Sequence, residues 1–361
     1  MHRTFLLAAS LFLIISCGHQ GQEEIDAMNA SDIVPSPDRE GRNNNFYDNA
    51  ETFGLKGGDI LVTGEIENPG IVDLSSLPVR SVIAKEALLG EDGSNTFVGA
   101  YRYDGYSLFD ILENRILDKK NKGEFAPCID TYIEISNNAG ERVFLSWGEV
   151  FYPNKLHNIL IATSVSRIVP SKTKDLWPLP QQRKLVVATD LVTERNIGNP
   201  VKITVHSYPL TLAVNRELPS LYSGSFRIET NDGPGINIDN LPEGSRIQTV
   251  QTIFYGKGRG IHSTTPFKGV PLQELLAAEV KPGRASLRQG MICVCGIDGY
   301  RAVYSVSEVI NRNDQGEILI VPCDTNSDGG KFRILPGCDF FSDRAVKAIS
   351  NIILTVEGQD K

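Results

Sequence analysis

The chain has 361 residues, enough for two or three domains that each bury a core of their own. Its formal net charge of −8, with no run of Lys or Arg, argues against a nucleic-acid partner, because phosphate binding needs a concentrated positive surface.

At the start, His2 and Arg3 precede an apolar run over residues 5–15. That is signal-peptide length and too short to cross a bilayer, which takes about 20 helical residues. The run closes on Ile14, Ile15, Ser16 and Cys17, a tetrapeptide that resembles a bacterial lipobox. The resemblance implies residues 1–17 as a lipoprotein signal peptide, lipidation of Cys17, and a membrane-anchored cell-envelope protein. The absence of Asp beside Cys17 favours the outer membrane over the inner. Residues 18–55 are rich in Gln, Glu, Asn, Asp and Ser and poor in large apolar side chains, so they read as a disordered tether.

The remainder is written twice. Residues 139–150 align without a gap on 298–309, sharing Gly, Arg, Ser, Glu and Val at matching places. Residues 103–112 answer 267–276, Pro69, Gly70 and Ile71 answer Pro234, Gly235 and Ile236, and 202–205 answer 353–356. Ordered blocks at nearly constant spacing predict two copies of one domain, over 56–208 and 223–358, with a linker over 209–222 where Pro209 and Pro219 interrupt the pattern. In copy one, β-rich residues 59–64 read as a strand. Residues 131–136 and 142–145 read as a hairpin, and 107–112 as a short helix behind a Ser N-cap. Copy two repeats this with Pro271 in the first helical turn and Leu272, Leu275 and Leu276 on one face. The expected fold class is α+β, strand-dominated with short helices.

Five cysteines remain after Cys17. Cys293 and Cys295 lie two apart in an apolar strand, on one face, and are poor disulfide partners for each other. Cys323 and Cys338 flank a turn-rich loop that a disulfide can close, with separate thiols as the alternative.

The helix start Gly269 to Leu276, the turn Asp298, Gly299 and Tyr300, the strand after it, and the closing segments 331–336 and 346–353 resemble the oxidoreductase molybdopterin-binding domain of the sulfite oxidase superfamily. Copy one carries a weaker version at 177–180 and 201–203. The resemblance implies two tandem sulfite-oxidase-like domains, a molybdopterin cofactor in copy two, and a metal held by one cysteine thiolate. In the corresponding stretch, 251–260, the cysteine place holds Thr252, and residues 82–103 of copy one contain no cysteine. A threonine hydroxyl ionises at far higher cost than a thiol of pKa ~8.5, so both copies lack the expected ligand. The resemblance also places Tyr300 and Arg333 among the cofactor-binding positions.

The Gly-rich loop carrying Lys257, Arg259 and His262 suits an anionic ligand such as a pterin phosphate; the alternative is a solvated connection. Asp324, Asn326 and Asp328 before Gly329 repeat the first half of a calcium-loop signature, but Leu335 stands where the bidentate Glu belongs, which leaves an Asx-rich turn as the competing reading. His157, His206 and His262 are far apart, giving a zinc site or a Ser/His/Asp triad little support. Trp147 and Trp177 read as core or rim aromatics, Trp177 with a groove position as the alternative. Two functions follow. The favoured one is an anchored module binding an anionic small molecule or an envelope protein; the other is a molybdopterin-dependent oxidoreductase with an altered metal site.

Overall fold

Two runs of strands succeed one another along the chain and end in the same way, each with a strand that returns to pair parallel with an early strand of its own run. The computed structural model describes residues 50–356 apart from 171, 216, 231, 232, 281 and 324–328. Cys17 and its signal segment, the tether through residue 49, and the calcium-loop residues Asp324, Asn326 and Asp328 lie outside the described residues.

The first half contains β1 (Thr52–Gly54), β2 (Leu61–Gly64), β3 (Gly70–Ile71), β4 (Arg80–Leu89), β5 (Asn95–Ser107), α1 (Leu108–Leu112), β6 (Thr131–Asn137) and β7 (Arg142–Ser146). It continues with α2 (Trp147–Phe151), β8 (Ile159–Arg167), β9 (Lys184–Val187) and β10 (Pro200–Ser207). The second half contains β11 (Phe226–Thr230), β12 (Ile236–Ile238), β13 (Gln248–Val250), β14 (Phe254–Gly256), β15 (Gly260–Ser263), β16 (Phe267–Pro271), α3 (Leu272–Leu276) and α4 (Arg284–Gln289). It closes with β17 (Gly290–Gly296), β18 (Arg301–Ser305), α5 (Val306–Ile310), β19 (Ile318–Pro322), β20 (Phe332–Pro336) and β21 (Ile349–Val356).

The inner sheet of the first half runs β3-β2-β10-β6-β7, and that of the second runs β12-β11-β21-β17-β18, the same order. In both, the returning strand (β10 or β21) is parallel to the opening one (β2 or β11). The outer sheets are β1-β8-β5-β4, with β9 also on β8, and β13-β16-β19-β20; β14 and β15 pair only with each other. Asn199 and Ala348, each just ahead of a returning strand, both take φ 45°.

The expected architecture of two tandem sulfite-oxidase-like domains is not what forms. Of the described residues 43% are in strands and 12% in helices, the small sheets arranged like a four-blade propeller. Among the described residues the five α-helices have only five or six residues each, so they plug sheet ends and cannot form a covering layer. Three of them start where a strand's last serine turns into a cap: Ser107, Ser146 and Ser305 each accept a hydrogen bond from a backbone N–H in the first turn.

The hydrophobic core also ignores the expected boundary. Phe125, Ile129 and Tyr152 of the first half belong to the same buried cluster as Ile292, Val294, Tyr304 and Ile352 of the second. Phe144 and Tyr208 pack with Met291, Cys293, Cys295 and Val303 across the junction. Every residue of β17 is therefore buried on both faces, which explains why Gly290–Gly296 reads as a continuous apolar run instead of alternating. Each fully buried aliphatic side chain there stabilises the fold by about 1.5–3 kcal/mol.

The segment expected as a linker is fastened to both halves. Leu210 and Leu212 pack on the junction cluster, Leu212 N–H donates to Glu124 at 2.9 Å, and Asn215 N–H donates to the Asp298 carbonyl at 2.8 Å. Arg301 adds to this: fully buried, it donates to Asp130 at 3.2 Å and to the Leu212 carbonyl at 3.0 Å while lying over the Phe125 ring. At the other end, the last residues of the expected tether are part of the fold. Thr52–Gly54 pairs antiparallel with β8, and Leu55 is buried.

Candidate functional site

The repeated Ser-x-x-Glu of the two aligned blocks places Ser146 and Glu149 at the head of α2, and Ser305 and Glu308 at the head of α5. Glu149 closes a capping box, accepting the Ser146 N–H at 2.7 Å. Glu308 instead reaches across the junction and accepts from Ser146 Oγ at 2.7 Å.

Each half then contributes an Asp, four intervening residues and an Arg ahead of its returning strand. Arg195 is fully buried and holds Asp190 bidentately at 2.8 and 2.7 Å, with its remaining donor on Glu149 at 3.0 Å. Arg344 holds Asp339 bidentately at 2.7 Å and Glu308 at 2.6 Å. The exchange between halves is reciprocal: Arg195 donates to Ser305 Oγ at 3.0 Å, and Arg344 donates to Ser146 Oγ at 3.3 Å.

Four carboxylates thus face two guanidiniums in a region withdrawn from water. Burial pushes Glu149 up to about 7, against the pull of Arg195, and pushes Asp339 up to about 6, against Arg344. Burial also raises Asp190 despite its arginine. Burial opposes the charge on Arg195, but Asp190 and Glu149 outweigh it and hold the guanidinium above its ordinary value. Burial thus outweighs the arginines at Glu149, Asp190 and Asp339, although Arg312 adds its pull on the two aspartates.

Three members of this cluster reach a cleft of about 280 Å³ between the halves. Glu149, Asp190 and Glu308 line it with Arg312, Asp314 and Cys338, and the loop of residues 153–159 forms one wall. The other side of that loop opens on a shallower space of about 370 Å³ that His157 lines. There the structure brings His157 to a Ser and an Asp three residues apart: Ser107 Oγ lies 3.0 Å from His157 Nδ1 and donates to Asp110 at 2.7 Å. The arrangement is not a nucleophilic triad. Asp110 and Ser107 both approach the same ring nitrogen, and Ser107 is fully buried as the cap of α1. It is a capping network that orients the imidazole, tied further by Arg80 on Asp110 at 2.9 Å.

The residues assigned to cofactor binding are not brought together. Thr252 borders a space of only about 10 Å³ beside Phe340 and Phe341. Lys257 and Arg259 are exposed on the β14–β15 turn, and His262 on β15 is exposed beside the Phe254 ring. Tyr300 donates to the Asp343 carbonyl at 2.7 Å and lines a separate space of about 230 Å³. Arg333 on β20 donates to Cys323 Sγ at 3.0 Å. No common cavity gathers these groups, and Thr252 offers neither a soft ligand nor room beside it, so a molybdopterin does not fit them.

All five described cysteines are free, Cys323 and Cys338 included. Cys293 and Cys295 point to one face with sulfurs 3.7 Å apart. Trp177 donates to the Ile168 carbonyl at 2.9 Å and meets Phe97 edge-on, fixing it at the rim of the first half. Among the described residues no three His, Cys, Asp or Glu side chains converge to hold a metal ion.

The acid–arginine cluster escaped sequence reasoning, although half its signal was in view. Ser and Glu are matched in the aligned blocks, but the Asp and Arg that complete each set lie in segments without obvious similarity. No protein-family model matches the chain, and no curated protein matches it either.

Proposed function

We propose that this chain is a ligand-binding module of the cell envelope, tethered through lipidated Cys17, whose site is the cleft between the halves and whose ligand is a compact organic cation such as an amine or guanidine. The observation that carries this reading is the acidic lining of the cleft: Glu149, Asp190, Glu308 and Asp314 outnumber the cations Lys155 and Arg312 that share it, with Glu149 pushed up to about 7. A cation entering beside Glu149 supplies what the arginines do not, and displaces the proton. The cleft volume of about 280 Å³ suits a small molecule and not a polypeptide segment. The tether rests on the sequence of residues 14–17 alone.

Calorimetric titration of the full chain with putrescine and agmatine tests the site. The expected result is saturable binding with proton release near pH 7, seen as heats that differ between phosphate and Tris buffers, and at least about tenfold weaker binding in Glu308→Gln. Absence of saturable binding to either cation, or undiminished binding by Glu308→Gln, overturns the assignment of the cleft. Incorporation of labelled palmitate that disappears in Cys17→Ala is the expected outcome for the anchor, and unlabelled parent protein overturns it.

A further inference from the structure

The thirty residues around the β14–β15 hairpin, 244–273, are charged unlike the chain as a whole. Between Glu243 and Glu274 there is no Asp or Glu, while Arg246, Lys257, Arg259 and Lys268 all fall there, in a protein whose net charge is −8. Arg246 is already neutralised by Glu274 and Glu317. Lys257, Arg259 and Lys268 are exposed and have no carboxylate partner among the described residues.

The same segment exposes large apolar side chains. Tyr255 and Ile261 are cross-strand partners and therefore share one face of the hairpin, with the cationic turn at its end. Ile261 is 67% exposed, Ile253 63% and Phe340 51%, and Phe340 lies 5.7 Å from the Tyr255 ring, extending that face. The opposite side is fastened down: Phe254 packs on Phe267 at 5.2 Å. The hairpin is held by one face and offers the other, aliphatic and aromatic with a cationic tip.

We propose that this hairpin face docks on an anionic phospholipid bilayer. Aliphatic side chains gain by entering the boundary between headgroups and acyl chains, a tyrosine suits that boundary, and each Lys or Arg near the surface is attracted to anionic headgroups. A protein partner is the weaker fit. A stable protein interface takes about 20–30 residues a side, which two strands of three and four residues do not reach, whereas a bilayer accepts individual side chains. The inference is independent of the cleft and of the anchor.

An Ile261→Trp variant of the full chain reports the site locally, wherever else the chain touches lipid. Its emission is followed as the difference from the parent chain on vesicles of phosphatidylcholine alone and of equimolar phosphatidylcholine and phosphatidylglycerol, with brominated acyl chains as quencher. The expected result is a blue shift and quenching on the anionic vesicles, weakened roughly tenfold or more in partitioning by Lys257→Gln with Arg259→Gln, with thermal unfolding unchanged. Unchanged emission on both vesicles overturns the proposal. So does quenching that is equal on neutral vesicles and survives the double substitution, or a response to soluble poly-glutamate in place of vesicles.

Discussion

The two halves agree where they meet and part company where they face outward. Inner sheets have the same strand order, the returning strands have the same parallel pairing, and even the left-handed backbone ahead of each is repeated at Asn199 and Ala348. The outer sheets do not agree. In the first half β4 and β5 make a ribbon ten residues or more long, whereas in the second β13 has three residues and the separate β14–β15 hairpin stands nearby. A junction built on buried charges that hold one another across the two halves resists change one residue at a time, while an edge exposed to solvent does not.

The largest effect expected from breaking this agreement is at the arginines. Arg344→Met and Arg195→Met each strand buried carboxylates, and each is expected to cost about 3–5 kcal/mol in urea unfolding. Equal losses would show the two sets to be energetically equivalent, and a loss confined to one would show that only one set carries the junction.

Next comes the asymmetry in pH response. Because Glu149 binds its proton more tightly folded than unfolded, its contribution is fully present below about pH 4.5 and is lost as pH rises through about 7. Asp339, raised to about 6, acts in the same direction. Unfolding temperature is expected to fall between pH 5 and pH 8, and Glu149→Gln to recover on the order of 2–3 kcal/mol at the upper end, leaving the smaller slope due to Asp339. A parent chain whose stability is flat across that window would mean that Glu149 is ionised throughout.

Smaller still is the loss of a cap. Ser146→Ala and Ser305→Ala each remove an N-cap and a bond across the junction, for an expected cost of about 1–2 kcal/mol by chemical denaturation. The double substitution Lys257→Gln with Arg259→Gln, on exposed side chains without partners, is expected to change stability by less than about 0.5 kcal/mol.

The repeated residues Gly140 and Arg142, and Gly299 and Arg301, show how far the sequence could be read. The aligned blocks do fall on equivalent hairpins, β6–β7 and β17–β18. Identical letters nevertheless took different places. The Arg142 side chain remains 42% exposed, with Glu134 at 3.8 Å, whereas Arg301 is fully enclosed by Asp130, Glu124 and Phe125. What separates them is the other half of the molecule, which no local pattern contains. The same limit explains the error over architecture. The short helix behind the capping Ser107 was legible, but whether two copies stand apart or share a core depends on residues such as Phe125 and Tyr152 that look like ordinary hydrophobes in sequence. The site was missed for a related reason, since its six charged members come from four separate segments of an acidic chain.

The reciprocal bonds of Ser146 and Ser305 have a further consequence. A contact in which one residue of the first copy meets a different residue of the second, and the converse contact is also made, has the form of an isologous interface, the kind that closes a symmetric dimer. Within one chain such a contact forms independently of protein concentration, and each half can vary alone. The lone hairpin of the second copy is what such freedom permits.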